Sequence, residues 1–280
     1  MIKYRLHWKH HPRKDQKWYE DEIKNKMMTE DEVARELDIN YAHSVSGKVF
    51  SAFRPDRHII EGELEYNPHL PVYRVWDFGK VNAILYIQQD RYGRHRILHE
   101  RVMGTKEVSS NFDEQLQMAK SDANLFGSVT FEDICDPAGS WTDERGASPE
   151  VERLAEEGIY PQFRRIAEYS TRERKVKARK LVTEALQSTP GGQEALQIYC
   201  GPNNESGCPI LKKAFQGSYA YKKDAQGNTT DTIREEHPYE DVIDCLLYYF
   251  LETDGFSGSG ANFSVEPAGD DSYVNPYTGF

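Results

Sequence analysis

The sequence predicts an α/β fold, a mixed sheet flanked by helices, and three observations carry that expectation. Residues 72–103 hold three β-branched and aromatic segments separated by short glycine-containing turns, as in an antiparallel meander. From residue 110 onward the apolar spacing alternates between helical and extended periods, giving helices and strands in turn. At 280 residues and 38% hydrophobic content, the chain can form one sizeable core with flanking segments, or two small domains.

Taken in order, residues 14–40 read as helix, with a capping box of Thr29 and Glu32 ahead of Val33, Ala34 and Leu37. Residues 44–53 read as a strand or extended segment, and 54–71, with three prolines, as a connection. The meander follows: VYRVWDFG (72–79), NAILYIQQD (82–90), alternating around Ala83, Leu85 and Ile87, and HRILHERVM (95–103) after the turn RYGR. Residues 110–126 are helical and 128–136 a strand. Residues 148–158 form a helix with Ser148 as N-cap and Gly158 at its end. Residues 160–169 read as strand, 171–187 as a helix stopped by STPGG, 195–201 as strand and 208–215 as a helical turn. Residues 219–232 form a hairpin turning at Gly227-Asn228. The last helix spans 238–252, with Pro238 at its first position. Residues 253–280, rich in Gly, Ser, Asn and Pro, read as a flexible tail. A meander leading into alternating helices and strands matches the ribonuclease-H-like plan. The implied layout is a lead-in over 1–55, the domain over 56–252 and the tail over 253–280.

Composition narrows the functional classes. No stretch approaches the roughly 18 apolar residues of a membrane span, and the basic N-terminus lacks a signal peptide's apolar run, so a soluble intracellular protein is expected. Cys135, Cys200, Cys208 and Cys245 form no CxxC pair, which argues against zinc and for reduced, buried thiols. A net charge of −11 argues against a simple DNA-binding protein. The charge is uneven, however. TRERKVKARK (171–180) carries six basic groups against Glu173, while 251–280 carries acids and no Lys or Arg. Arg172, Arg174, Lys175, Lys177 and Arg179 are candidates for DNA phosphate contact, with a solvated helix face as the plainer reading. Lys222 and Lys223 on the hairpin extend that candidate surface, and the hairpin is also a candidate regulatory flap.

Three acids carry the candidate chemistry. Asp77 ends a strand, although Asp is depleted in strands and a buried charge needs a partner or a metal. Asp136 ends the fourth strand, where Pro137 stops ladder pairing, and the carboxyl end of such a sheet is where sites are built. Alternation sets Asp133 on the opposite face from Glu132 and Asp136. Asp241 and Asp244 share one face of the last helix beside the apolar stripe of Ile243, Leu246, Leu247 and Phe250. Each acid alone also reads as a turn or helix-start residue. A ribonuclease-H-like sheet brings these elements together, and converging carboxylates coexist by sharing hard cations such as Mg²⁺ or Mn²⁺. Two such ions about 4 Å apart clamp an in-line displacement at phosphorus. His237, Glu240 and Glu100 are further candidates for proton transfer or metal binding.

These stretches resemble the nuclease domain of tailed-phage terminase large subunits. Residues 7–22 and 33–53 are similar to the segment after the ATPase domain of that family, VYRVWDFG to its first catalytic strand, DICDPAG to its second acidic motif, and HPYEDVIDCLLYYF to its final helix. The resemblance implies a ribonuclease-H-like fold and a two-metal endonuclease acting on concatemeric double-stranded DNA in the host cytoplasm. It implies metal binding by Asp77, Asp136 and Asp241, and as partners a portal, a small terminase subunit and the ATPase domain of the same large subunit. Glu240-Asp241 stands where the family often has Asp-Asp, which leaves Glu240 or Asp244 open as a fourth carboxylate. The chain contains no GxxxxGK[ST] loop, so no ATP hydrolysis is expected, and an excised domain or a separately encoded nuclease half is implied. The competing expectations are a junction resolvase or transposase core, and a non-catalytic module docking on portal or DNA.

Overall fold

The computed structural model describes residues 7–25, 33, 37, 47–104, 111–135, 150–164, 171–201, 206–253 and 262–264. Its centre is the meander. β2 (Val72–Asp77) pairs antiparallel with β3 (Asn82–Gln89), and β3 with β4 (His95–Met103). Gly93, at φ 74, permits the β3–β4 turn, where the Asp90 carboxylate accepts the N–H groups of Tyr92 and Arg94. β5 (Phe131–Cys135) runs parallel to β2 on its other side, followed outward by β6 (Gln162–Arg164) and the edge strand β10 (Asn262–Ser264). Beyond β4 lie β7 (Leu196–Cys200) and β1 (Ile59–Glu61), both in parallel pairings. The result is an 8-stranded mixed sheet in the order β1-β7-β4-β3-β2-β5-β6-β10.

The helices among the described residues are α1 (Gln16–Asn25), α2 (Pro55–His58), α3 (Phe112–Asp122), α4 (Glu150–Glu156), α5 (Thr171–Gln187), α6 (Pro209–Lys213) and α7 (Tyr239–Thr253). They cover both faces of the sheet. On one face Trp76, Ile84 and Tyr86 pack with Phe112, Leu116 and Leu154 from α3 and α4. On the other, Val75, Ala83, Leu85 and Ile134 pack with Val182 and Leu186 of α5 and Ile243, Leu246 and Phe250 of α7. Each such fully buried side chain stabilises by about 1.5–3 kcal/mol. The coverage explains β3. Its first seven residues are all buried, so the expected one-sided alternation is replaced by a strand apolar on both faces. β8 (Tyr221–Lys223) and β9 (Thr229–Ile233) form the separate hairpin, turning at Gly227 as expected.

Several expectations are corrected. Within 44–53, the described residues form a turn with one isolated bridge, Lys48 to Ala220, rather than a strand. Phe50 and Phe53 from this stretch enter the main core, so the domain reaches back into the presumed lead-in. The connection 54–71 contains α2 and the edge strand β1. Three residues of the presumed tail, 262–264, pair with β6. Pro238 precedes the first residue of α7 and its carbonyl accepts from Val242 N–H, a cap position rather than the first helical one. Ser148, Thr29 and Glu32 lie outside the described residues. The four cysteines are free and buried. No described helix is long and apolar enough to cross a membrane.

Candidate metal centre

Asp77 closes β2, flanked by β3 on one side and β5 on the other, and is only 7% exposed. Its strand is held in place from the opposite face. Arg74 donates to both Asp133 oxygens at 2.6 and 3.0 Å, and Trp76 Nε1 donates to Asp133 at 2.7 Å. Asp133 therefore points away from the Asp77 face, as alternation requires. Cys135 lies opposite Trp76 in the parallel register. Asp136 itself lies outside the described residues.

α7 brings the other acids. Its apolar stripe packs on β2 and β3, and Cys245 on that stripe is fully buried. Burial pushes the Cys245 thiol well up, and Asp77, Asp244 and Asp241 push the same way, so carboxylates from β2 and α7 act electrostatically on one thiol. The helix has thus carried two acids, Asp241 and Asp244, to the carboxyl end of the central strand. Asp241 is 6% exposed. Burial raises its carboxyl above the ordinary value, although His237 and Lys175 pull it down. Burial also raises Glu240, with Asp241 and Asp244 adding their repulsion.

His237 precedes the helix and reaches back onto it. Its Nδ1 lies 2.9 and 3.1 Å from the two Asp241 oxygens and 3.3 Å from Glu240 Oε1. One donor atom each from His237, Glu240 and Asp241 fall within 4.8 Å of one another. This oxygen-rich set with one imidazole fits a hard divalent cation such as Mn²⁺ or Mg²⁺.

Lys175 enters from α5, its Nζ 2.5 Å from Asp244 Oδ2. Burial alone lowers this ammonium, but Asp244 and Asp77 outweigh it and hold it charged. The sequence groups Lys175 with the DNA-facing cations; the structure turns it inward to the acids. A signal for this exists in the sequence, because Lys175 lies in register with Ala178, Val182 and Leu186 on the buried stripe of its helix. Tyr219 is a second residue that sequence reasoning missed. Burial and Asp244 push its hydroxyl up to about 12, against Arg179 and Lys175.

Glu100 sits inside β4, not at its end, and its carboxylate accepts the N–H groups of Ile210 and Leu211 at 2.5 and 2.9 Å, capping the start of α6. Arg172 pairs with Asp231 of the hairpin, both exposed, and Lys222 and Lys223 are exposed on β8. Arg174, Lys177 and Arg179 are partly exposed on α5. An open cleft lined by Tyr73, Glu132, Gln162 and Glu252 lies towards the start of β2, away from Asp77 and Asp241.

Among solved structures, this fold has a counterpart in the large terminase of a thermophilic bacteriophage. The ADP complex of that protein aligns with a TM-score of 0.52 and 14% identity over 73% of this chain and 44% of the terminase. Another of its structures aligns with a TM-score of 0.51 and 12% identity over 87% and 54%. The chain shares its fold with part of a large terminase. It spans about half the length of that protein. No family model matches the sequence. No curated protein matches it either.

Proposed function

We propose that the chain is a divalent-metal-dependent endodeoxyribonuclease of viral DNA packaging, cutting concatemeric double-stranded DNA. The observation that carries this reading is the gathering of His237, Glu240 and Asp241 donor atoms within 4.8 Å at the start of α7, with Asp244 and the buried Asp77 acting electrostatically on the same Lys175 ammonium. Asp136 supports it, since it follows Cys135 in the chain as Asp77 follows Trp76, and Cys135 and Trp76 are paired. In this reading Asp77, Asp136 and Asp241 hold two Mg²⁺ or Mn²⁺ ions, with His237, Glu240 or Asp244 completing the donor set. Bound there, the ions supply a water-derived nucleophile near neutral pH and charge neutralisation at the phosphate.

The protein's own groups do the rest. His237 fixes the orientation of the Asp241 carboxylate through its hydrogen bonds. In this reading Arg172, Arg174, Lys177 and Arg179 on α5, with Lys222 and Lys223 on the hairpin, contact DNA phosphates. The thermophilic phage terminase has been captured with ADP and with ATP-γ-S. In this reading the partners are an ATPase domain, which carries the phosphate-cradling loop that this sequence lacks, a portal and a small subunit in the host cytoplasm.

The test is cleavage of plasmid DNA in Mn²⁺ by the wild-type chain, Asp77→Asn and Asp241→Asn. Both variants are expected to lose cleavage while keeping the wild-type circular dichroism spectrum. Full cleavage by either one would overturn the assignment.

A further inference from the structure

Lys175 occupies an unusual place for a lysine in a strongly basic helix segment. Its neighbour Arg172 projects outward with 77% of its side chain exposed, whereas Lys175 is 34% exposed and ends on Asp244, itself 16% exposed. The ammonium also acts on Asp77 and Asp241, so one positive charge from α5 faces acids from β2 and α7. We propose that Lys175 is a built-in counter-cation of the acid cluster, a positioning residue that competes with the divalent ion and sets how much metal the site requires. The inference rests on the metal-dependent reading given above.

Electrostatics set this competition. Neighbouring carboxylates repel one another, more strongly at the effective dielectric of a protein surface than in water. Lys175 offsets part of that repulsion before metal arrives and keeps the carboxylates gathered. The same ammonium then repels an incoming dication and occupies an oxygen of Asp244. Metal binding therefore has to share or displace it. A site with such a resident cation loads metal only above a threshold concentration, or when DNA phosphates bring their own counter-ions to it.

This competition predicts opposite signs for the two partners of one ion pair. Lys175→Met removes the competitor but keeps the stem, and should tighten Mn²⁺ binding on the order of tenfold. Asp244→Asn removes a negative charge from the cluster and should weaken it. A salt bridge that only braces α5 against α7 would shift both variants the same way, or neither. Mn²⁺ binding to the whole chain, read by electron paramagnetic resonance of the free ion, distinguishes these outcomes without an activity assay. Melting in EDTA should fall for Lys175→Met and be restored by Mn²⁺; Lys175→Gln replaces it if the Met variant does not fold. Shifts in the same direction, or an unchanged Mn²⁺ midpoint in the lysine variants, would overturn the competition while leaving the metal-dependent reading intact. Absence of Mn²⁺ binding by the wild-type chain would bring down both.

Discussion

Trp76 of β2 lies opposite Cys135 of β5 in a parallel register, and each is followed in the chain by an aspartate. Parallel neighbours keep pace along their length, so residues equally placed in two such strands arrive at the same end of the sheet. Asp136→Asn should then match Asp77→Asn, each lowering Mn²⁺-dependent cleavage by on the order of 10²-fold or more. Groups acting as one unit are not additive. The double variant should be no slower than either single one in single-turnover assays. A multiplied defect would mean that the two aspartates act separately.

The meander was legible because its turns are short and glycine-marked, so three strands had only one economical way to pair. β1 was not, because a three-residue strand among prolines is held by backbone pairing to β7, far along the chain. Asp77 and Asp241 could be read from where they stand, one at a strand end and one in the first turn of a helix. Lys175 could not be read from composition, since a lysine in a basic run suggests a solvated face. Only its register with Ala178, Val182 and Leu186 shows that it turns inward. Glu100 shows the opposite limit. An acid in a strand of an acid-rich sheet reads as chemistry, while the partner that explains it, the start of α6, lies 110 residues further on.

Arg74 and Asp133 form a buried pair on the face opposite the site, with side chains 7% and 8% exposed. Removing one partner leaves the other charge buried, a loss of about 3–5 kcal/mol. Arg74→Met should therefore lower the urea midpoint sharply. Because Trp76 also donates to Asp133, the indole loses its acceptor in Asp133→Leu. The double variant Arg74→Met, Asp133→Leu should recover part of the stability, and a double variant weaker than both singles would contradict this account.

Asp122 is buried against Tyr86 and Arg101, with His99 beside it. Burial alone would raise this carboxyl, but His99 and Arg101 hold it at about 2, below its ordinary value of 3.8. A depressed folded value means stability that is present above the unfolded value and lost as pH falls towards the folded one. The wild-type advantage over Asp122→Asn should be about 2 kcal/mol above pH ~4 and shrink to nothing near pH ~2. Melts across that range check it; an advantage independent of pH would refute the ionic origin.

Arg172 and Asp231 are 77% and 79% exposed, so their ion pair is screened by water and salt. Arg172→Ala should leave the melting temperature unchanged. If α5 lies along DNA, the same variant should weaken duplex binding and reduce the salt dependence of log K by about 0.9 for each phosphate no longer neutralised. Fluorescence anisotropy with a labelled duplex at several salt concentrations gives that slope. An unchanged slope would remove Arg172 from the DNA-facing surface.

Glu100 separates structure from catalysis most cleanly. Its carboxyl is pushed up to about 7 by burial, against the opposing pull of the Ile210 and Leu211 N–H groups and Lys213. A raised folded value gives stability that is full below the unfolded value of 4.5 and lost as pH rises through about 7. Glu100→Gln removes this titration, so its stability relative to wild type should improve from acid to mildly alkaline pH. The amide has one acceptor oxygen for two helix N–H groups, so a fixed loss from the weakened cap should remain at every pH. Cleavage per folded molecule should stay within about twofold of wild type, because the side chain is committed to the start of α6. A large fall in cleavage rate at unchanged Mn²⁺ midpoint and unchanged stability would instead place Glu100 among the reacting groups.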